Sequence, residues 1–157
     1  MVKLKNIIIK NFKSFKNTSL DFPESGLVSL EGKNIDTGGS SGAGKSNLNN
    51  AIAYALGYAS APASTMQSWH SEDPMQVILT VSTDQGDVVV SRGNKNSVKI
   101  GSRTITGAKA IEEAIQQVIG LDSDTLKALV YRPQKTAGLF LSMDDADKKD
   151  FLGRVLD

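Results

Sequence analysis

The chain has 157 residues, 39% of them hydrophobic and 22% charged, with a formal net charge of +1 and no cysteine. This length suffices for one domain with its own hydrophobic core, and the lack of cysteine excludes a disulfide framework and thiolate metal sites. No segment reaches the roughly 20 consecutive apolar residues that a membrane-spanning helix needs, so we expect no membrane partner and a cytoplasmic location.

Three short strands are predicted in the first third of the chain. Val2–Ile9, Leu20–Pro23 and Gly26–Glu31 are apolar segments of strand length, and the third contains Leu27–Leu30, which is typical of a buried strand. This part of the chain is also basic, because five lysines precede the first acidic residue, Asp21. We interpret most of these lysines as solvent-exposed positions on an edge strand, where they discourage aggregation.

The run from Gly39 to Ser46 fits the phosphate-binding pattern G-x-x-x-x-G-K-[ST]. Glycines in such a loop let consecutive backbone N–H groups point at phosphate oxygens, and the dipole of the following helix adds positive potential. Lys45 would contact the β- and γ-phosphates, and Ser46 would ligate Mg²⁺. A helix is predicted directly after the loop, because apolar residues recur at helical spacing and end before a glycine: Leu48, Ala51, Ile52, Ala55 and Leu56. The sequence therefore predicts binding of a nucleoside triphosphate with Mg²⁺.

The middle of the chain predicts an irregular loop followed by a meander. Residues 58–74 have no clear period, so we expect a loop long enough to be functional. Between residues 77 and 105, short apolar segments are separated by turns rich in Gly, Asn and Asp, which predicts antiparallel strands. Ile111–Ile119 then has helical periodicity, and Gly120 ends that helix.

Two more helices are predicted near the end of the chain. The first is short and capped by Asp122 or Ser123. The second covers residues 142–157 and begins with Ser142 and Asp145 at the spacing of a capping box. Its apolar stripe is still running at the final residue, so we expect the chain to stop within a longer helix.

One part of a complete phosphate-loop hydrolase is missing from the sequence. Such enzymes need a second carboxylate, usually an Asp that follows an apolar strand, to help hold Mg²⁺ and its water. Glu31, Asp84 and Asp122 do not follow a strand of this kind. We therefore predict that the chain carries half of a catalytic site, and that the second carboxylate, the catalytic base and the cationic finger come from elsewhere.

Three segments together resemble a known family. Asn11–Phe15 follows an extended basic opening, Glu31–Asn34 precedes the phosphate loop, and Tyr131–Gln134 resembles a Q-loop. This order is similar to the ABC-type ATPase heads of the SMC and SbcC families, over nearly all 157 residues. The resemblance implies an α/β phosphate-loop NTPase fold, with residues 1–157 as a single N-terminal ATP-binding lobe. It also implies a mixed sheet with an antiparallel meander, and a chain that ends before a coiled coil.

The resemblance also implies partners. The order of the meander, helix, Q-loop and last helix is most similar to SbcC-type recombination and repair ATPases. Such a protein would bind ATP and Mg²⁺ and would pair with its own C-terminal lobe. It would form an ATP-dependent homodimer of heads, act on double-stranded DNA, and control an SbcD-type nuclease. The insert Ile35–Ser41 resembles bacteriophage members of the family, which implies the host cytoplasm.

Two alternative functions remain open at this point. One is an SMC-type structural DNA clamp without a nuclease partner. The other is a stand-alone phosphate-loop kinase or GTPase, which would need the second carboxylate.

Site residues are transferred by position from the family. The expected nucleotide contacts are Lys13, Ser14, Gly39, Ser41, Gly42, Ala43, Gly44, Lys45, Ser46 and Asn47. Gln134 would contact Mg²⁺ or the attacking water, so Lys45 and Gln134 are the catalytic candidates and Ser46 and Gln134 the metal ligands. Arg132 would signal towards the coiled coil. The seven inserted residues leave open which glycine begins the loop, since Gly39 fits by spacing and Gly32 by analogy.

A few other residues have less specific interpretations. His70, the only histidine, is interpreted as a surface-loop residue, because one histidine cannot build a metal site alone. Trp69 could stack on a base or a partner, but a position at the rim of the core is the commoner outcome. Phe12 and Phe15 are interpreted as core residues. If DNA binds, the candidates for phosphate contact in the meander are Arg92, Lys95, Lys99 and Arg103.

Overall fold

The computed structural model describes residues 2–33, 38–40, 42–58, 62–122, 125 and 143–156, with side chains up to residue 153. The described strands are β1 (Lys3–Phe12), β2 (Phe15–Asp21), β3 (Gln76–Thr83), β4 (Gly86–Gly93), β5 (Ser97–Ile100) and β6 (Arg103–Ile105). The described helices are α1 (Lys45–Ala55), α2 (Ala63–Met66), α3 (Ala108–Ile119) and α4 (Asp145–Leu156). They fall into two compact units, Met1–Ile119 and Gly120–Asp157. None of the described helices combines the length and the apolar character that crossing a membrane requires.

The described strands form one sheet in the order β2-β1-β3-β4-β5-β6, and each neighbouring pair is antiparallel. The predicted meander is confirmed as β3 to β6. No pair among the described strands is parallel. Strand β2 begins well before the predicted Leu20–Pro23, because residues 16–19 of this edge strand are all polar and lack the apolar alternation that reveals an inner strand.

The predicted strand Gly26–Glu31 does not form. Residues 26–33 have no strand assignment, and Leu27 is 99% exposed. An extended segment becomes a strand only when a neighbour satisfies its backbone N–H and C=O groups. In the part of the chain that the structure describes, no strand pairs with this segment, and of its apolar side chains only Leu30 packs against the core.

One face of the sheet carries the core of the first unit, in two clusters. Alternate residues of β1 and β3, among them Ile7, Ile9 and Leu79, are fully buried and pack in one cluster with Ala51 and Ala55 of α1. The second cluster joins β4 and β5 to α3 and comprises Val88, Val90, Val98, Ile111, Ala114 and Ile115. The apolar faces of α1 and α3, which the helical spacing of the sequence predicts, thus pack on the apolar face of the sheet.

The described part of the expected loop, residues 58 and 62–74, is largely irregular, but it is tied to the end of β1. It contains the four-residue helix α2. The Lys13 N–H donates to the Met66 carbonyl at 2.7 Å, and the Ser68 N–H donates to the Asn11 carbonyl at 2.8 Å. These bonds fix the segment after α2 beside the β1–β2 turn.

In the second unit Asp122 makes the hydrogen bonds of one predicted cap, and the other predicted cap is corrected. The short helix predicted after Asp122 lies outside the described residues beyond Thr125. Asp122 accepts hydrogen bonds from the Thr125 N–H at 2.9 Å and from the Thr125 hydroxyl at 2.6 Å. For α4, the carboxylate of Asp144 accepts from the Asp147 N–H at 2.8 Å, so the helix begins at Asp145 and not within a box that starts at Ser142. Asp caps a helix as well as Ser does, which is why the sequence admits either start. Ser142 itself lies outside the described residues.

Candidate nucleotide-binding site

The N-terminus of α1 follows a glycine turn and has no side-chain cap. Gly44 precedes the helix with φ +84°, a left-handed conformation that permits the sharp turn into Lys45. No side chain caps this end, and its first turn has no acidic residue, whereas α4 has Asp145 and Asp147 in its first turn. The first N–H groups of a helix lack intrahelical acceptors and carry the positive end of its dipole. The start of α1 therefore has N–H donors available to an anion, and no acidic residue of its first turn neutralises its positive potential.

Lys45 lies at this helix start and is half-buried. Its Nζ atom donates a hydrogen bond to the Ser40 carbonyl at 2.5 Å, so the side chain folds back along the loop. Ser46, the next residue, is exposed at the second position of the helix. The predicted phosphate and Mg²⁺ contacts thus stand side by side, with Gly42 and Gly44 both at positive φ just before them. Ser41 lies outside the described residues.

The β1–β2 turn meets the end of this loop. Phe12 pairs with Phe15, so Lys13 and Ser14 form a two-residue turn, and Lys13 has φ +49°. The Asn47 amide donates to the Ser14 hydroxyl at 2.9 Å. A β-carbon at Gly44 would lie only 3.2 Å from that hydroxyl oxygen. Lys13, Ser14 and Asn47, which the sequence could only transfer by resemblance, are therefore in one place with the phosphate loop.

A cavity of about 360 Å³ extends from this turn, and its lining comprises Lys13, Ser14, Thr65, Gln67, Trp69 and His70. Trp69 is 96% exposed, so its expected position at the rim of the core is wrong. The physical reason is that the segment after α2 is held by backbone hydrogen bonds to β1, which leaves this indole outside the sheet–helix interface. His70 is exposed, as predicted for a surface loop. No sequence signal points to Thr65 or Gln67, because they become neighbours of the turn only through the fold.

Comparison with known proteins assigns the family. Residues 6–152 match the family model of the AAA domain. The chain belongs to the AAA domain family. Over 98% of the chain it is 26% identical to the DNA double-strand break repair Rad50 ATPase of Methanocaldococcus jannaschii, of which it covers 15%. A second relative is the chromosome partition protein Smc of the same organism. The match covers 61 residues, which are 39% of this chain and 4% of Smc, and 48% of the matched residues are identical. The chain thus spans about 15% of the length of the Rad50 relative.

The fold agrees with this assignment. A solved structure from work on ATP-driven dimerization and DNA-stimulated activation of SMC ATPases covers 97% of this chain and 98% of its own, with a TM-score of 0.65 and 18% identity. At that identity the match shows the fold. The resemblance to the N-terminal lobe of SbcC- and SMC-like ATPase heads is therefore confirmed, and the relatives that match through nearly the whole chain are ATPases.

The donor set fits Mg²⁺ only together with a nucleotide. Among the described residues, no group of three or more His, Asp or Glu side chains could hold a metal ion. The Ser46 hydroxyl is one oxygen ligand, and Mg²⁺ usually completes an octahedron with phosphate oxygens and waters. Gln134, the other predicted ligand and a catalytic candidate, lies outside the described residues, as does Arg132.

The meander cations divide into two kinds. Lys95, Lys99 and Arg103 are exposed, whereas Arg92 is half-buried and its Nε atom donates to the Ala55 carbonyl at 3.4 Å, at the last residue of α1. Burial lowers the pKa of Arg92 from its usual value. Arg92 thus contacts the end of the phosphate-loop helix, and only the other three are open to an external phosphate. Phe12 is fully buried and packs against Tyr54 with 5.7 Å between ring centroids, which confirms its interpretation as a core residue.

Proposed function

We propose that this domain binds ATP with Mg²⁺ and forms the N-terminal half of a DNA-repair ATPase head. The observation that carries the proposal is the uncapped start of α1, where Lys45 and Ser46 lie between Gly44 and Asn47, the two residues that lie against Ser14. The triphosphate would lie across the first turn of α1, with Lys45 on the β- and γ-phosphates. Mg²⁺, held by Ser46 and Gln134, would neutralise the developing phosphate charge.

The cavity supports a place for the nucleoside end. Its lining includes Lys13 and Ser14, beside the phosphate loop, and also the exposed indole of Trp69. An exposed aromatic ring offers a face on which a nucleobase can stack. Lys13 would then contact phosphate oxygens, and the base would lie against Trp69.

Hydrolysis requires groups from outside this chain. We propose that the C-terminal lobe of the same protein supplies the second carboxylate, and that a second head in an ATP-dependent homodimer completes the site. The segment before the loop supports a docking lobe, because Leu27 is 99% and Val28 44% exposed and no described strand pairs with them. A strand from the C-terminal lobe would satisfy this backbone by β-augmentation.

At the level of the whole protein, we propose that ATP-driven closure of two heads controls an SbcD-type nuclease on double-stranded DNA in the cytoplasm. The Rad50 relative that matches over 98% of the chain is the basis for repair. Exposed Lys95, Lys99 and Arg103 are the candidate DNA contacts, so binding by the assembled heads should weaken steeply with salt. An SMC-type clamp is the second candidate, supported by 48% identity over 61 residues to chromosome partition protein Smc.

Calorimetric titration with ATPγS and Mg²⁺ tests nucleotide binding, with nucleotide up to millimolar concentrations. Because charge-assisted hydrogen bonds contribute about 1.5–3 kcal/mol, Lys45→Ala should raise the Kd by roughly 10- to 150-fold. Lys109→Ala is the matched control, since Lys109 is 92% exposed on α3 and only 3.9 Å from Glu113 in a weak ion pair. Equal affinity of the Lys45→Ala variant and the wild type would refute the proposal. Rapid ATP turnover by the isolated chain would instead favour a stand-alone kinase or GTPase.

A further inference from the structure

Gly32 is separated from Gly42–Ser46 by an insert in the sequence, but it lies next to the end of the phosphate loop in the structure. Between Gly32 and Gly42 the chain carries seven more residues, Ile35–Ser41, than the family pattern G-x-N-G-x-G-K-S contains. Two glycines could therefore begin the loop, Gly32 or Gly39. The two alternatives place different backbone beside Lys45, so contacts of the described residues can separate them.

Gly32 lies against the closing residues of the loop. A β-carbon there would be 2.6 Å from the Ala43 β-carbon and 3.3 Å from Lys45 Cγ. Gly32 is not among the glycines with positive φ, so space, and not backbone conformation, is what requires glycine here. Contacts of 2.6 Å do not occur between real β-carbons, which means that the pair Gly32 and Ala43 has room for one methyl group only.

The inserted stretch returns to the same lysine. The Ser40 carbonyl accepts the hydrogen bond from Lys45 Nζ at 2.5 Å. A lysine ammonium has three N–H donors, so a bond to Ser40 leaves two for phosphate oxygens. The carbonyl therefore orients the ammonium without occupying its whole capacity.

We propose that the phosphate loop is composite: Gly32 packs along the stem of Lys45, and Ser40 holds its ammonium. Gly32 and Ser40 are thus positioning residues, which act on the nucleotide through Lys45. The proposal rests on the nucleotide site described above and specifies how that site is held. A free lysine side chain loses up to about 2 kcal/mol of rotamer entropy when it is fixed. Orienting Lys45 in advance removes part of this cost from nucleotide binding.

The test is a glycine–alanine exchange, read out by calorimetry with ATPγS and Mg²⁺. Gly32→Ala should raise the Kd roughly tenfold, the order expected if most of the orientation of Lys45 is lost. Adding Ala43→Gly removes the methyl group that Gly32→Ala would strike and should restore most of the affinity. Gly153→Ala is the control, since no atom lies within 4 Å of a β-carbon there and its φ is not positive. Thermal denaturation of each variant reports whether the fold persists.

Deletion of residues 35–41 separates the two glycines even if Gly32→Ala fails to fold. The deletion joins Asn34 to Gly42 and leaves an uninterrupted loop that begins at Gly32, so nucleotide binding should survive, with a Kd raised by the loss of the Ser40 carbonyl. If Gly39 begins the loop, the deletion removes it and abolishes binding. A Gly39→Ala variant that loses more affinity than Gly32→Ala, or a double variant without rescue, would also overturn the composite loop. Unchanged binding by Lys45→Ala is a separate outcome, which would refute the nucleotide site itself.

Discussion

Replacing Trp69 separates recognition of the base from recognition of the phosphates. Trp69 is 96% exposed, so Trp69→Ala removes little packing and should leave the free energy of unfolding nearly unchanged. Stacking of a base on an aromatic ring contributes about 1–3 kcal/mol, which corresponds to a Kd for ATP that is roughly 5- to 140-fold higher in the variant. Inorganic triphosphate has no base, so its Kd should not change. Trp69→Phe keeps a smaller aromatic ring, so its Kd for ATP should lie between those of the wild type and Trp69→Ala.

Two measurements check this expectation. Trp69 is the only tryptophan in the chain, so its fluorescence reports directly on the cavity, and ATP should change it more than inorganic triphosphate does. Competition by the two ligands against a fluorescent nucleotide then gives their Kd values for each variant. Lys45→Ala serves as the contrast, since it should weaken both ligands. Equal weakening of ATP and triphosphate by Trp69→Ala, or no weakening of either, would refute a base subsite at this indole.

Three further substitutions test the framework around the site. Asn47→Ala removes the 2.9 Å hydrogen bond to Ser14 and should raise the Kd for ATP about 2- to 12-fold in a calorimetric titration, with little change in melting temperature. Tyr58→Phe should raise the free energy of unfolding by about 1 kcal/mol in urea denaturation, because the Tyr58 hydroxyl is buried without a hydrogen-bond partner among the described residues. Gly93→Ala should lower the free energy of unfolding by about 2–5 kcal/mol, since φ at Gly93 is +126° and a β-carbon there would lie close to the Met75 carbonyl oxygen.

Each of these has an outcome that contradicts it. Ser14→Ala should reproduce the effect of Asn47→Ala, and strictly additive losses in the double variant would show that the two side chains do not act together. Destabilisation by Tyr58→Phe would mean that the hydroxyl has a partner after all. Gly101→Ala is the control for Gly93→Ala, because φ there is also positive but nothing lies within 4 Å of its β-carbon. Equal losses at both glycines would assign the cost to backbone conformation alone.

The elements that can be predicted from the sequence are those whose signal lies within the element itself, in the spacing of its own residues. Helix α3 and the strands β3 to β5 have apolar residues at the period of their own backbone, and turn residues separate the strands. The start of α1 was predicted for the same reason, because the glycines and Lys45 are neighbours in the chain. The predicted strand Gly26–Glu31 failed because pairing depends on a partner, and its sequence carries no information on whether one is beside it.

The sequence by itself determined that a helix start with the pattern of a phosphate loop is followed along the chain by an antiparallel meander, since hydrophobic period, glycine placement and helix caps are all properties of adjacent residues. Only the tertiary structure decided what surrounds that helix start. It brought the Lys13–Ser14 turn to Asn47, Gly32 to Ala43, and the exposed Trp69 into the lining of the cavity beside that turn. These contacts join residues far apart in the chain, and they form because β1, α1 and β3 share one buried core. Burial of apolar surface drives these segments together, and it is non-directional. The local sequence of one segment therefore does not encode which side chains of another segment it will contact.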